Sequence, residues 1–362
     1  MDPYATRLAE GFAARVLQYY FQTTVTPVIT NREFEGEIKD RLTKLNIGTL
    51  GGVTLKNFTG SDMTADDPTE SIAVLSTDQA KSWYFKIHSL AELESFIKNP
   101  QGSLLDDLKG QLREAIDAYT LGLWSDAASG NWVGTSYTTG TVEITVTTGA
   151  VVGAGTTFTS AMVGKPFKAA GHTSWYRVKT YTDATHIVIE DDSDDLTSAY
   201  TGGAIGAGAT YEIQANSAVQ ITKSNIYEYI FKLKTALDKR KVPLDNRWIV
   251  MPADLFNLLP QAPEVIQPIG NVYEEVVNRG YMGMVGGFKA YSNEQIAGDA
   301  VNGYKVMAGR TSGITFATAM TETEVEPFLK GNFGKAYKGL EVYGAKVPDI
   351  RRKDLAMGLW KL

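Results

Sequence analysis

The alternation of apolar and polar residues over positions 49–88 predicts a long β-hairpin that has no hydrophobic core of its own. The first limb, residues 52–58, alternates only weakly, whereas the return limb, residues 79–88, alternates regularly. The tip, residues 59–70, contains four acidic residues and no basic residue. A two-stranded hairpin is marginally stable in water unless another surface covers its apolar face. We therefore expect a second copy of the same chain to cover the hairpin.

The side chains expected at this intersubunit contact lie on the hairpin and on the N-terminal arm: Trp83, Phe85, Ile87, Phe58 and Tyr19. The first three share one face of the return limb, because alternate residues of a strand point the same way. An exposed strand edge with such an apolar stripe promotes aggregation unless it is covered. Packing of the stripe inside the chain's own core is the alternative interpretation.

Hydrophobic repeats at three- and four-residue steps predict an amphipathic helix over residues 4–20 and a longer helix that opens at Ser103. The longer helix has about 22 residues, which corresponds to a rod of roughly 33 Å. A capping box at Ser89 predicts a short helix that Pro100 stops. Residues 23–29 are predicted to be extended because they contain a proline.

Residues 133–215 are rich in Gly, Thr and Ala, and their short alternating runs are separated by turn-forming residues. Regularly spaced short strands are typical of a small all-β sandwich or barrel. The segment contains four Lys or Arg and eight Asp or Glu residues, and its net charge of −4 is most of the chain's −6. We interpret it as an acidic, self-contained domain inserted into another domain, with its two ends close together at a surface.

Helical and strand patterns return after this segment. Residues 223–241 predict a helix, residues 247–251 a buried strand and residues 253–259 a short helix. Strand patterns follow from Phe288 onward. The host is therefore predicted to be an α+β domain that an all-β segment interrupts.

Composition excludes several classes of function. The chain contains no cysteine, so disulfides, thiolate metal sites and cysteine nucleophiles are excluded. The net charge of −6 does not favour sequence-independent binding of nucleic acid, which needs clustered Lys and Arg. No signal-peptide pattern opens the chain, and no apolar run approaches the roughly 20 residues that cross a bilayer. We expect a soluble protein made in a reducing cytoplasm.

The candidate chemical motifs are better explained by structure than by catalysis. The acidic run 191–195 lacks the glycine and the closing glutamate of an EF-hand, so we interpret it as a solvated turn. His88, His172 and His186 are far apart in the sequence and are interpreted as strand or turn residues. The basic cluster 351–353 is expected to form salt bridges rather than to contact DNA. We expect no catalytic residue, no metal site and no cofactor.

Four segments carry a resemblance to a known family, and they occur in this order: residues 31–38 (NREFEGEI), 53–60 (VTLKNFTG), 247–252 (RWIVMP) and 333–348 (FGKAYKGLEVYGAKVP). In order and spacing they resemble the major capsid proteins of tailed bacteriophages, which have the Hong Kong 97-type capsid fold. The resemblance covers the chain outside the β-rich segment. That segment itself resembles small β-modules found on phage capsid and tail proteins.

The resemblance implies an α+β Hong Kong 97-like capsid fold with an all-β insertion domain. The implied parts are an N-terminal arm (1–48), an extended loop hairpin (49–88), a peripheral domain with a spine helix (89–132), an inserted β-sandwich or barrel domain (133–215), an axial domain (216–325) and C-terminal strands of the peripheral domain (326–362).

The resemblance also implies a function and partners. Copies of the chain would form pentamers and hexamers of an icosahedral head shell that encloses double-stranded DNA without sequence-specific binding and without membrane contact. The implied partners are a portal protein and a scaffolding protein, with a cement or decoration protein as a further candidate. Separate scaffolding is implied because residues 31–38 come too early to leave room for an N-terminal scaffolding segment. The implied location is the virion capsid, assembled in the host bacterial cytoplasm, with the inserted domain on the outer surface, where it stabilises or decorates capsomers.

Two other classes of function fit the sequence less well. A tail-tube or surface-layer component with a β-module is disfavoured by the long predicted helix. An enzyme with a carbohydrate-binding-like insert is disfavoured because the sequence shows no clustered nucleophile, base or metal-ligand set.

Overall fold

The computed structural model describes residues 24–34, 44–50, 70–88, 100–145, 148–192, 199–263, 284–326 and 334–362, with residues 55, 57 and 65. The chain divides into two compact units. Unit 1 takes its described residues from Arg32–Ile116 and Phe316–Ala345, together with Thr24. Unit 2 takes its described residues from Val25–Asn31, Asp117–Thr315 and Lys346–Leu362.

The helices and strands of the described residues follow in chain order. The first are α1 (Thr26–Ile29), β1 (Lys44–Leu50), β2 (Glu70–Ser76), β3 (Gln79–His88) and α2 (Pro100–Leu121). The next are β4 (Trp132–Val133), β5 (Thr135–Tyr137), β6 (Thr141–Ile144), β7 (Ala150–Ala154), β8 (Pro166–Ala169), β9 (Tyr176–Asp183), β10 (His186–Asp191), β11 (Ile205–Ala209), β12 (Tyr211–Ser217) and β13 (Val219–Gln220). The last are α3 (Ile226–Lys239), β14 (Arg247–Met251), α4 (Ala253–Phe256), β15 (Lys289–Ser292), β16 (Gly298–Asp299), β17 (Gly303–Arg310), β18 (Thr315–Glu326), β19 (Gly334–Lys346) and β20 (Leu355–Lys361).

The hairpin of unit 1 is formed by β1 and β2, which pair antiparallel with Lys44 opposite Ser76. The predicted return limb is strand β3, and it pairs instead with β19, with Phe85 opposite Tyr337. The resulting three-stranded sheet has the order β18–β19–β3. The described hairpin therefore returns through β2 rather than through residues 79–88, and the predicted first limb, residues 52–58, lies mostly outside the described residues. An alternating pattern specifies a strand but not its partner, since one face of any partner sheet satisfies it.

Helix α1 corrects the prediction that residues 23–29 are extended. Pro27 lies in its first turn, where a helix does not need the missing proline N–H. The carboxylate of Asp117 in α2 accepts hydrogen bonds from the backbone N–H groups of Val25 at 3.1 Å and Thr26 at 3.0 Å. The Thr26 hydroxyl donates to the same carboxylate at 2.6 Å, and the Asn293 side-chain amide donates to it at 2.8 Å. A buried side chain 91 residues along the chain thus caps this short helix.

Helix α2 confirms the long helix predicted from the hydrophobic repeat, and it has 22 residues. It begins at Pro100 rather than at Ser103. A proline can terminate a helix that precedes it, but it also fits the first turn of the next helix. The predicted apolar stripe is only partly covered: Leu104 is 43% exposed, and Leu108, Leu112, Ile116 and Tyr119 are half-buried.

Residues 135–217 form an eight-stranded antiparallel sheet, here called the β module, with the order β11–β6–β7–β10–β9–β8–β12–β5. The three strands predicted from its alternating runs are confirmed as β6, β9 and β10. Its own buried core includes Phe158, Phe167 and Ile187. The first and last strands are neighbours, with Thr135 opposite Ser217, so the chain enters and leaves the module at one place.

A second sheet in unit 2 has the order β13–β20–β17–β14–β15, and β4 and β16 extend it to seven strands. Helix α3 packs on this sheet through four fully buried residues at helical spacing: Ile226, Ile230, Leu233 and Leu237. The helix and strand predicted at 223–241 and 247–251 are confirmed as α3 and β14. Trp360 of β20 is fully buried in the same core.

The C-terminal residues differ from their predicted assignment to one set of strands. Strand β19 pairs with β3 in unit 1. Strand β20, however, pairs with β17, β13 and β4 in unit 2. The segment between β19 and β20 therefore connects two sheets, which the shared alternating pattern of the two strands could not reveal.

Some predictions lie outside the described residues: the helix over 4–20 with Tyr19, the short helix that opens at Ser89, and Phe58. Among the helices that the structure does describe, each is too short or too polar to cross a lipid bilayer.

His172 lies inside the β module, and both of its ring nitrogens are engaged. The Tyr200 hydroxyl donates to the carbonyl oxygen of Gly203 at 2.7 Å, so His172 Nε2–H, 2.8 Å away, donates to that hydroxyl oxygen. The Ala169 backbone N–H donates to Nδ1 at 3.4 Å. Burial, aided by the Lys168 ammonium, lowers the pKa of His172. The folded module therefore accommodates the neutral imidazole.

We expect the β module to lose stability as the pH falls below about 6.5, the ordinary pKa of an unfolded histidine. The pKa of His172 is lower in the folded chain, so the unfolded chain takes up the proton first and acid favours unfolding. Thermal unfolding of the wild type and of His172→Gln, followed by circular dichroism, should show a smaller acid-induced loss in the variant. His186→Gln is the control, because the His186 side chain is 50% exposed. The same pH dependence in the wild type and in His172→Gln would contradict this assignment.

Candidate assembly surfaces and the joint of the β module

The sheet of unit 1 brings together Trp83 and Phe85, as the sequence predicts, on one face of β3. The Phe85 ring stacks on the Tyr337 ring of β19, with 5.2 Å between centroids and 19° between planes. The Trp83 indole covers Gly339, where an added Cβ would overlap the indole ring. Both side chains are half-buried by the same chain. The backbone of Ile87 continues β3 opposite Lys335.

Strand β3 is an edge strand of this sheet, since β19 is its single neighbour among the described strands. Beside it lies a cavity of about 660 Å³ whose walls come from all three strands: Ser82, Trp83, Tyr84, Glu324, Lys338, Gly339 and Leu340. The Trp83 indole N–H is buried and has no acceptor among the described residues. The Tyr84 side chain on the opposite face of β3 is 54% exposed. Within the described part of the chain, the strand thus presents an aromatic surface and a backbone edge that pairs with no further strand.

The β1–β2 hairpin has one covered and one uncovered face. Leu75 is fully buried against Ala317, with Leu45 and Ile47 packed beside it. On the opposite face Ile72 is 65% exposed and Val74 is 39% exposed. Exposed apolar groups that lie next to each other indicate interaction surfaces more often than isolated ones do.

The joint between the β module and the rest of unit 2 is centred on Asp192, which follows β10. Its carboxylate accepts hydrogen bonds from Arg177 Nε at 2.7 Å, Arg352 Nη2 at 2.6 Å and the Ser129 backbone N–H at 2.8 Å. Arg177 belongs to β9 of the module, whereas Arg352 precedes β20. We call Asp192, Arg177 and Arg352 the Asp192 clasp.

The two guanidinium groups of the clasp make further hydrogen bonds to the backbone of residues 125–131. Arg177 donates to the carbonyl oxygens of Ser125 at 2.7 Å and Ala127 at 2.9 Å. Arg352 Nε donates to the carbonyl oxygen of Asp126 at 3.0 Å. Arg177 is 8% exposed and Arg352 4% exposed, so these are charged hydrogen bonds inside the protein.

Burial and charge determine the titration of the groups at this joint. Burial opposes the charge of Asp192, but Arg177 and Arg352 outweigh it and hold the pKa of Asp192 below its usual value. For Asp126 the nearby positive charges do not offset the effect of burial, so burial raises the pKa of Asp126 despite the nearby Arg352. Burial, with a contribution from the Lys305 ammonium, lowers the pKa of Lys165 to about 8.

The structure agrees with some of the roles predicted for the charged clusters and histidines and corrects others. The interpretation of residues 191–195 as a solvated turn is wrong for Asp192, which is 14% exposed and paired with two arginines. The basic cluster 351–353 forms salt bridges as predicted, through Arg352 to Asp192 and through Arg351 to Asp354. His172 is a core residue of the module and His186 is a strand residue beside Asp183. No group of metal-ligating side chains occurs within the described ranges.

Sequence reasoning missed Asp117 and the role of Asp192. Asp117 lies on the side of α2 opposite the predicted apolar stripe, where an acidic residue is expected to face water, yet it is 2% exposed. Asp192 carries no distinguishing signal, because it is one of several carboxylates in an acidic run. The partners of both residues lie at least 91 positions away or belong to another element, so no local pattern could identify them.

Comparison with solved structures identifies the fold. A chain of the structure "Mycobacterium phage Che8" superimposes with a TM-score of 0.63 and 14% identity, covering 96% of each chain. A chain of the capsid structure of the cyanophage P-SCSP1u gives a TM-score of 0.58 and 10% identity, covering 97% of this chain and 92% of that one. A chain of the mature capsid of bacteriophage PhiM1 gives 0.56 and 11%, covering 97% and 91%.

These similarities extend over nearly the full length of both chains, at sequence identities that show the fold alone. The chain therefore has the mixed α/β fold of chains that build phage capsids. No protein-family model matches the sequence, and no curated protein has a significantly similar sequence.

Replacing Gly339 by alanine should destabilise unit 1 by about 1 to 3 kcal/mol, because the new methyl group displaces the Trp83 indole from its packed position. Chemical denaturation of the full chain measures the change. Gly48→Ala is the matched control, since it also lies in a strand of unit 1 and an added Cβ there meets nothing within 4 Å. Equal unfolding midpoints for the two variants would show that Trp83 does not pack on Gly339.

Proposed function

We propose that this chain is the major capsid protein of a tailed bacteriophage and that its copies assemble into the icosahedral head shell around double-stranded DNA. The observation that carries the proposal is the structural similarity to chains of phage capsids over nearly the whole length of both partners. The uncovered apolar groups of the hairpin and of β3 support it, because a shell subunit needs such surfaces for its neighbours.

The parts of the Hong Kong 97-type fold can be assigned to the observed elements within this proposal. The β1–β2 hairpin corresponds to the extended loop, and α2 corresponds to the spine helix. The sheet β18–β19–β3 corresponds to the peripheral domain, and the seven-stranded sheet with α3 corresponds to the axial domain. The β module then corresponds to an inserted domain, which its adjacent first and last strands support.

The proposed role is structural rather than enzymatic. Copies of the chain are the main partners, in pentamers and hexamers, and scaffolding, portal and decoration proteins are further partners of such shells. A tail-tube or surface-layer component is less well supported, because the similar structures are those of capsids.

The β module is proposed to lie on the outer face of the shell. A bulky domain on the inner face would occupy space that the packaged DNA requires. Its net charge of −4 does not favour contact with the DNA phosphates either. A reconstruction of the shell with the module facing the DNA would rule out this placement.

Expression of the chain together with its scaffolding protein should give closed spherical particles. Negative-stain and cryo-electron microscopy distinguish closed shells, tubes and dispersed subunits directly. Closed shells with fivefold and sixfold clusters support the proposal. Tubes would favour a tail component, and a dispersed monomer under all assembly conditions would contradict a capsid function.

Ile72→Lys should reduce the yield of particles by about tenfold or more, because it places a charge on the uncovered face of the hairpin. Since Ile72 is 65% exposed, the thermal stability of the isolated subunit should change little. Sedimentation measures particle yield. Leu244→Lys is the matched control, since Leu244 is 69% exposed in a turn of unit 2. Equal particle yields from the two variants would show that this hairpin face is not an intersubunit contact.

A further inference from the structure

The β module interrupts the edge of the seven-stranded sheet. Strand β4, just before the module, pairs in parallel with β20, with Trp132 opposite Met357. Strand β13, just after the module, pairs in parallel with the next part of β20, with Val219 opposite Trp360. The two connections to the module are therefore fixed side by side on one strand rather than carried on a free linker.

The loop 125–131 is held between the module and the seven-stranded sheet. From the module side, Asp192 accepts from the Ser129 N–H, and the Gln214 side-chain oxygen accepts from the Gly130 N–H at 2.9 Å. From the other side, Arg240 at the end of α3 donates to the Ser129 carbonyl oxygen at 2.6 Å. The Asn131 side-chain amide donates to the carbonyl oxygen of Leu355 at 2.8 Å.

Gly130 shows how closely these parts approach. Its φ of +93° belongs to the left-handed region that favours glycine. An added Cβ would lie 2.8 Å from the Trp175 indole nitrogen of the module and 2.9 Å from Arg240 Nη2. Only a residue without a side chain fits between the module and α3 at this point.

We infer that the β module is a rigid brace that stabilises the host sheet, rather than an appendage that the sheet merely carries. The Asp192 clasp is the element that couples them, because each of its charges is buried and depends on a partner across the joint. This inference concerns the joint within unit 2 and does not depend on the proposed function.

Loss of one member of the clasp leaves the charges of the other members inside the protein. Removing one partner of a buried ion pair leaves the other charge without compensation, which destabilises a protein strongly. The Arg352 side chain is only 4% exposed. Without Asp192, its guanidinium still donates to the backbone carbonyl oxygen of Asp126 but no longer has the Asp192 carboxylate as a partner. Replacing the module by a short linker would remove Asp192, Arg177 and Gln214 together. In this respect the inference departs from the expectation from sequence that the insert is a self-contained domain.

The test is hydrogen–deuterium exchange on the full chain, comparing Arg352→Gln with Arg351→Gln. Both arginines lie in the same turn, but the Arg351 side chain is 43% exposed and bonds to Asp354 instead of to the module. Loss of the clasp should speed amide exchange by about tenfold or more in residues 125–131 and in β9 and β10. Arg351→Gln should leave these segments as in the wild type. Unchanged exchange in β9 and β10 of Arg352→Gln would overturn the inference.

A second pair of variants tests the coupling from the module side and remains informative if Arg352→Gln does not fold. Asp192→Asn should speed exchange in the host residues 349–357, although the substitution lies in the module. Asp191→Asn is its control, because Asp191 accepts hydrogen bonds from Thr201 within the module at 2.7 and 2.9 Å. If Asp192→Asn loosens the module but leaves residues 349–357 protected as in the wild type, the module is an appendage and the inference is wrong.

Discussion

Unit 2 depends on the pairing of a single strand, β20. It pairs antiparallel with β17 on one side and in parallel with β4 and β13 on the other. The backbone groups of a buried strand must all find hydrogen-bond partners. These pairings therefore fix the positions of β4, β13 and β17 along β20. They fix where the chain departs into the β module and where it returns. The fully buried Trp360 then joins this strand to the core beneath α3.

The parts of the fold that could be predicted from the sequence are those that local patterns encode. The buried face of α3, the all-apolar run in β14 and the alternating runs of the β module each repeat with the period of their element. Partners were not predictable in the same way. Strands β2 and β3 follow each other closely, yet they belong to different sheets. Proline likewise indicated a break at Pro27 and Pro100, although at both places it opens a helix.

The candidate surfaces show the same limit. The sequence identified Trp83 and Phe85 as an aromatic stripe that needs cover, and the structure provides part of that cover from Tyr337 and Gly339 of the same chain. The uncovered hairpin face at Ile72 was not singled out, because the apolar residues 72–75 are consecutive and do not show which of them point away from the core. The polar interactions of Asp117 and Asp192 depend on residues brought together by the whole fold, so their importance is visible only in three dimensions.

The long sequence separation within the Asp192 clasp has a consequence for the order of events during synthesis. The β module closes on itself once Ser217 has left the ribosome, since Thr135 pairs with it. Arg352 is made 160 positions after Asp192, and β20 follows it. Domains fold as units on the nascent chain, whereas pairings between distant segments form slowly. The module is thus complete while β17 and β20 are still missing, and its Asp192 carboxylate, already paired with Arg177, is in place before Arg352 is made.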